Sequence, residues 1–434
     1  MTSQDAHSTR PSRIPWVARV PDDWDVLPLM AVARESQIPN TGVREQNLLS
    51  LSYGNIVPKD INTLDGLLPE SFETYQVVHP GMIVFRFTDL QNDKRSLRSG
   101  LVRAHGIITS AYLAVEPHSV DSSYFAYLMR SYDTTKVFYG MGGGLRQSIK
   151  YGDVRRLPIL VPPPATQQAI ADFLDRETAE IDAFIADQER LIELLTERRR
   201  RVVSEAVEVQ APGWRSVRLG WIATIGNGST PLRENPQYWE GGSFPWLNST
   251  VVNQDRVTSA DQFVTQVALK ECHLPIVPRG SVLVGITGQG RTRGMSTLLD
   301  IEATINQHMA YLTPRPDVLP EFVLAALTAA YEELRLISEG GGSTKGALTC
   351  EDLKHYRIAL PDTQEQHRIV DSLAQVTAAT TQMVADAQEA IMLSRERRVA
   401  LITAAVTGQL DVRTGRTKNV GGTCQTVSTD DNGR

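Results

Sequence analysis

One internal repeat constrains this chain more than any other feature. The 55 residues that begin at Asp153 align without a gap, at an offset of 199, with the 55 that begin at Asp352, and 18 pairs are identical. The anchors include Asp153 with Asp352, Ile159 with Ile358, Pro162 with Pro361, Gln167 with Gln366, Leu174 with Leu373, and Glu197, Arg198 and Arg199 with Glu396, Arg397 and Arg398. A repeat of this kind makes the chain two copies of one unit. Each copy opens with a strand-like stretch (LPILVP; YRIALP) and a Pro-containing stop. About 40 residues without Pro or Gly follow, which predicts a long helix. At ~1.5 Å per residue such a helix runs roughly 60 Å, more than a compact domain needs. Apolar residues recur along it at steps of three and four. They are Ile170, Leu174, Ile181, Phe184, Ile185, Leu191, Ile192, Leu195 and Val202 in the first copy, and Ile369, Leu373, Val376, Met383, Val384, Ile391 and Leu401 in the second. That spacing predicts a coiled-coil seam, and the helices are expected to serve as spacers.

The blocks that precede the helices share only their borders. Both enter at a Trp after a Pro-containing turn (Trp24; Trp214) and both leave through a glycine run (MGGGLRQSI; EGGGSTKGAL). Between these borders each holds short strands (MIVFRF; SVLVGIT) and a late apolar helix (SSYFAYLMRS; PEFVLAALTAAYEELRLI), and the contents diverge. The expected fold class is α+β: two α+β recognition domains separated by two long coiled-coil helices, with an internal repeat. The expected boundaries are an N-terminal extension at 1–21, a first recognition domain at 22–152, a boundary and helix at 153–209, a second recognition domain at 210–351, a boundary and helix at 352–411, and a disordered tail at 412–434.

Composition narrows the function classes only a little. The formal net charge of −6 weighs against a nucleic-acid ligand, yet a global charge averages over faces and leaves room for basic clefts. Cys272, Cys350 and Cys424 are far apart and odd in number, so neither a disulfide framework nor a zinc site is expected. No stretch is apolar enough to span a bilayer and the first residues do not read as a secretory signal, so a cytoplasmic protein without membrane partners is expected.

With these features in place, the chain resembles the specificity subunits of type I restriction-modification systems over about residues 21 to 411. The resemblance is carried by HPGMIVFRFTDLQNDKRSLRSG and GIITSAYLAVEP in the first block. In the second it is carried by GNGSTPLRENPQYWEGGSFPWLNS, GSVLVGITGQG and INQHMAYLTP, and at the boundaries by LPILVPPPATQQAIADFLD and IALPDTQEQHRIVDSL. It implies that the two long helices pack antiparallel and make the internal repeat a pseudo-two-fold one, and that each recognition domain reads one half of a split double-stranded DNA target, with helix length setting the unread gap. It also implies two copies of a modification (methyltransferase) subunit bound through the helical regions, and restriction/translocase subunits that join them. No catalytic centre, cofactor or metal is expected in the chain itself.

The residues agree with that last implication. GGGSTKG at Gly340 follows a helix and lacks the Walker A order, so it reads as a helix-end turn. There is no NPP or DPP tetrapeptide start for an amino-methyltransferase, and no E-x-K triplet for a nuclease. His105, His118, His273, His308, His355 and His367 show no paired ligand spacing. Candidate DNA contacts are the polar clusters Gln91, Asn92, Lys94, Arg95 and Arg98 in the first domain and Gln289, Arg291 and Arg293 in the second. Arg and Lys suit guanine edges and phosphates, while Asn and Gln suit adenine. Trp239 and Trp246 are expected to pack in the core, and the ERRRR run at Glu197 to face solvent or a partner. The competing readings are a non-catalytic scaffold whose domains bind protein, and part of a fused restriction-modification enzyme.

Overall fold

The computed structural model describes residues 8–61, 71–88, 90, 96–141, 148–208, 213–288, 290–339, 346–413 and 416–417, the last two by backbone alone. Its contacts divide the chain into two units, one of Met1–Asp187 with Ala390–Arg434 and one of Gln188–Glu389.

In the first unit the strands are β1 (Asp25–Pro28), β2 (Ala33–Ser36), β3 (Ile38–Pro39), β4 (Leu49–Ser52), β5 (Asn55–Pro58), β6 (Gln76–Val78), β7 (Ile83–Phe85), β8 (Ser99–Leu101), β9 (Gly106–Ile108) and β10 (Leu113–Pro117). Helix α1 (Ser122–Thr134), strand β11 (Pro158–Val161) and the 45-residue helix α2 (Pro164–Glu208) complete it, α2 continuing into the second unit. An antiparallel sheet runs β8-β7-β10-β2, a smaller one β9-β6-β3, and β1 pairs with β11. The continuous apolar run of β7 follows from burial on both faces. Ile83 and Phe85 point into a cluster with Tyr124, Phe125 and Leu128 of α1, and Val84 points into a second cluster with Leu49, Val78 and Ile108.

The second unit repeats this plan. Its elements are β12 (Arg215–Arg218), β13 (Ala223–Asn227), β14 (Phe244–Leu247), β15 (Arg256–Val257), β16 (Gln262–Val264), β17 (Val282–Gly285), β18 (Ser296–Leu299), β19 (Thr304–Ile305) and β20 (Met309–Pro314). Helices α3 (Pro320–Ala329) and α4 (Tyr331–Glu339), strand β21 (Arg357–Leu360) and helix α5 (Thr363–Val406) follow, α5 ending in the first unit. The main sheet runs β13-β20-β17-β18-β15, the smaller β16-β14-β19, and β12 pairs with β21. β17 alternates as β7 does: Val282 and Val284 face Phe322, Val323 and Leu327 of α3, while Leu283 faces Leu247, Val257 and Ile305.

Several expectations need correction. The N-terminal residues are no mere extension, because Thr9–Ile14 and Val17–Pro21 form a hairpin that buries Ile14, Val17 and Val20 in the first core. The late apolar helix of the second domain is two helices: the Ala330 amide donates to Ala326 and Thr328 carbonyls, closing α3 in a tight turn before α4. Along α2 the covered positions are Leu174, Thr178, Ile181, Ile185, Gln188, Ile192 and Leu195, alternating steps of four and three. Phe184, Leu191 and Met383, assigned to the seam from sequence, lie outside it at 44%, 39% and 51% exposure. In the expected disordered tail, Arg416–Thr417 pairs as a strand with Leu410–Asp411, because the chain turns back after Gly408, whose φ of +76° ends α5. The glycine runs at 142–144 and 340–342, the rest of the tail with Cys424, and the candidate contacts Gln91, Asn92, Lys94, Arg95 and Gln289 lie outside the described residues.

Candidate nucleic-acid interface

The identical residues of the repeat form a fastening, used once per unit. Gln167 is buried; its Oε1 accepts from the Asp121 amide that opens α1 at 2.7 Å and its Nε2 donates to the Pro162 carbonyl at 2.8 Å. Gln366 does the same in the second unit, accepting from the Leu319 amide at 2.9 Å and donating to the Pro361 carbonyl at 3.1 Å. Asp153 accepts from the Lys150 amide and Asp352 from the Thr349 amide, both at 2.8 Å. The Leu29 amide donates to the Leu157 carbonyl and the Leu219 amide to the Tyr356 carbonyl, both at 2.9 Å. Each clamp joins the domain's entrance, its last helix and the start of a long helix, and the buried Gln167 and Gln366 amides hold it because a buried polar group needs a partner. The frame is thus fixed while the loops at the far ends of the strands remain free to differ.

In the second unit three loops converge on an exposed polar cluster. The β19–β20 turn is Asn306–Gln307–His308–Met309, held by Asn306, whose Oδ1 accepts from the His308 amide at 3.0 Å. Gln307 and His308 form its exposed tip. Thr230, from the loop after β13, donates its hydroxyl to Gln307 Oε1. Gln307 Nε2 lies 3.2 Å from His308 Nε2, and His308 Nδ1 lies 2.7 Å from the Thr287 hydroxyl, just past β17. The amide nitrogen carries only hydrogens, so it donates and His308 Nε2 accepts; Nδ1 then holds the ring proton and donates to Thr287. The loop after β13 reaches this turn because residue 228 is glycine: a Cβ there would meet the Ile305 carbonyl oxygen at 1.8 Å.

The arginines singled out from sequence separate by burial. Arg291 is exposed, and its carbonyl accepts from the Tyr331 hydroxyl at 2.9 Å. Arg335 fixes the same loop by donating to the Gly290 carbonyl at 2.8 Å. Arg293 is buried; it donates to the Gly346 carbonyl at 3.0 Å and to Glu339 at 2.9 Å. Arg98 is wholly buried, with its amide on Asp133, Nη1 on the Thr88 carbonyl at 3.1 Å and Nε 3.4 Å from the Tyr139 hydroxyl. Buried guanidiniums with protein partners present no donor at the surface. Arg98 and Arg293 therefore brace the loops that were expected to carry contacts, and a cluster of polar letters alone could not separate brace from contact. Conversely, Thr230, Thr287 and Gln307 were not singled out, and His308 was weighed only as a metal ligand. The one sequence signal for them was that GNGST, GITGQG and INQHMAY were family-like segments.

The first unit offers different chemistry. Its β9–β10 turn presents Thr109 and Ser110, with carbonyls of Thr109 and Tyr112 held by Gln76 Nε2 at 3.3 and 2.6 Å. A cleft of about 900 Å³ lies beside α1, lined in part by Tyr53, Arg103, Tyr127, Arg130, Asp175 and Arg398. Arg130 ties the β4–β5 hairpin to α1 by donating to the Gly54 carbonyl and, at 3.0 Å, to the Ser99 carbonyl. Tyr127 donates to Asp175 at 2.7 Å, and burial pushes its phenol up to about 12, so it keeps its proton at neutral pH. Arg398 pairs with Asp182 at 2.9 Å, whereas its repeat counterpart Arg199 pairs with Asp255 at 2.8 Å. Trp246 is buried and meets the half-buried Trp239 edge-on at 5.2 Å, with Arg233 over both rings. These tryptophans thus pack as expected.

The long helices carry a second duplicated surface. Phe184 and Leu393 in the first unit stand at 44% and 55% exposure, and their repeat counterparts Met383 and Leu194 in the second at 51% and 52%. Among the described residues there is no group of three His, Cys, Asp or Glu placed to hold a metal ion, and no helix long and apolar enough to cross a membrane.

Comparison with known proteins adds independent support. Residues 212–392 match the type I restriction modification DNA specificity domain. The chain is 24% identical over 242 residues to the specificity subunit of the Escherichia coli type I restriction enzyme EcoR124I/EcoR124II, a match over 54% of this chain and 59% of that one. It is 30% identical over 166 residues to the MjaIX specificity subunit of Methanocaldococcus jannaschii, over 37% of each. The chain thus spans about three fifths of the first relative and little over a third of the second. The fold matches a chain from a type I restriction-modification system solved in a study of complex assembly and conformational transition, with a TM-score of 0.72, 20% identity, and coverage of 90% of this chain and 99% of that one. It also matches the HsdS subunit of Thermoanaerobacter tengcongensis, with a TM-score of 0.53, 19% identity, and coverage of 92% and 99%. Residues 212–392 thus match a type I restriction modification DNA specificity domain, and the chain is similar in sequence and fold to specificity subunits of type I restriction-modification systems.

Proposed function

We propose that this chain reads a split double-stranded DNA target, one half-site per recognition domain, and lends that specificity to two modification subunits and to the restriction subunits that join them. In this reading α2 and α5 run antiparallel as a spacer whose length sets the unread gap, and the chain itself catalyses nothing. The observation that carries it is the pairing of an identical frame with different loop ends: the Gln167 and Gln366 clamps match atom for atom, while Gln307–His308 in one turn faces Thr109–Ser110 in the other. Two domains built alike but tipped differently suit two different half-sites. Exposed apolar side chains at matching positions of the repeat, Phe184 with Met383 and Leu194 with Leu393, support two copies of one partner.

The test is single-molecule methylome sequencing of cells with and without this gene, together with its modification gene. The expected result is methylation at one motif of two short blocks around a fixed gap, lost when the gene is removed. A protein-binding scaffold would leave the methylome unchanged.

A further inference from the structure

The polar cluster of the second unit leaves one donor and one acceptor of an amide unspent, and that pair selects a base. Thr230 occupies one lone pair of Gln307 Oε1, and His308 Nε2 takes one of the two Nε2 hydrogens. Turned either way, the amide spends one acceptor and one donor on these two neighbours, and among the described residues one of each is left over at an exposed turn tip. An acceptor beside a donor, on a planar group, matches N6–H and N7 on the major-groove edge of adenine; guanine offers two acceptors there and repels the carbonyl. A free glutamine loses rotamer freedom when it binds. This one is already ordered, so its discrimination is less diluted.

Resting on the DNA-reading function proposed above, we infer that Gln307 reads an adenine in the half-site of the second domain, with Thr230 and His308 as positioning residues. With Nδ1–H donating a hydrogen bond to the Thr287 oxygen, that hydroxyl's own hydrogen is available to a neighbouring acceptor, a phosphate or base oxygen. The first domain lacks such an amide at the equivalent turn, where Thr109 and Ser110 stand, so the same base is not expected there by this route.

The test uses the full chain assembled with its modification subunits. The half-site read by the second domain is the one that changes when residues 213–350 are exchanged for another recognition domain. Duplexes carrying 7-deazaadenine at each adenine of that half-site in turn remove one N7 acceptor at a time. At one position the wild-type complex should lose ~5- to 100-fold in affinity, the range for one bidentate contact, and the Gln307→Ala complex should lose nothing further there. In cells, Gln307→Ala should relax the methylated motif at that position alone. If Gln307→Ala fails to assemble, Gln307→Glu keeps the size and loses the donor, and the base scan on the wild-type complex still decides. The inference is overturned if the half-site holds no adenine, if no position is sensitive to 7-deazaadenine, or if both proteins are equally sensitive there. Absence of any split motif with the wild-type chain would instead overturn the DNA-reading function itself.

Discussion

The two units differ least where they are buried and most where they are exposed. Around Gln167 and Gln366 the same donors and acceptors meet at nearly the same distances. At the β-turn tips, Thr109–Ser110 against Gln307–His308, the side chains do not correspond. A buried amide that loses its partner has no water to replace it, so the frame tolerates little change. A solvated turn tip has water to fall back on, so its side chains can vary with the target at small cost in stability. The braces show an intermediate case. Arg98 and Arg293 both tie the post-strand loop to the segment after the last helix, yet through different partners and different depths.

The comparison can be broken most severely by exchanging residues 22–150 for another recognition domain. The original motif should disappear from the methylome and a new one appear with one altered half-site, the other half-site and the gap retained. A change in both half-sites would show that the units do not read independently.

Next in size is the contrast between braces. Arg98→Met keeps the backbone amide that Asp133 accepts from but leaves the Thr88 carbonyl without its guanidinium donor and removes one positive charge from beside the buried Asp133, and should destabilise the first unit by about 2–3 kcal/mol. Arg293→Met should cost the second unit only about 1–2 kcal/mol, because its partner Glu339 is 56% exposed and regains water. Hydrogen exchange of the β7, β8 and β17, β18 amides reads each unit separately, and equal losses would remove the distinction.

The smallest expected effect sharpens the likeness. Gln167→Leu and Gln366→Leu each leave one amide and one carbonyl without a partner and should cost about 1–3 kcal/mol apiece, by the same measurement. Costs that differ by more than the spread between repeats would mean that the two clamps are alike in geometry but not in energy.

How much of this was legible in the sequence depends on what kind of interaction holds each part. The repeat, both long helices, the paired α+β domains and the strand-like boundary stretches follow from identities at a fixed offset, from the absence of Pro and Gly, and from apolar periodicity. All are local or periodic, so letters suffice to read them. Phe184 and Met383 show the limit: steps of three and four admit two registers, and only packing decides which side chains the seam covers. Arg98 shows another, because a guanidinium in a polar loop reads as a contact until Thr88 and Tyr139 close around it. The candidate reading site joins residues 230, 287, 307 and 308, which sit on three loops as much as 78 residues apart. The sequence by itself determined the duplicated frame, since a frame is built from near neighbours and repeated patterns. Only the tertiary structure decided which polar side chains brace and which face outward, since burial is a property of what the rest of the chain places against them.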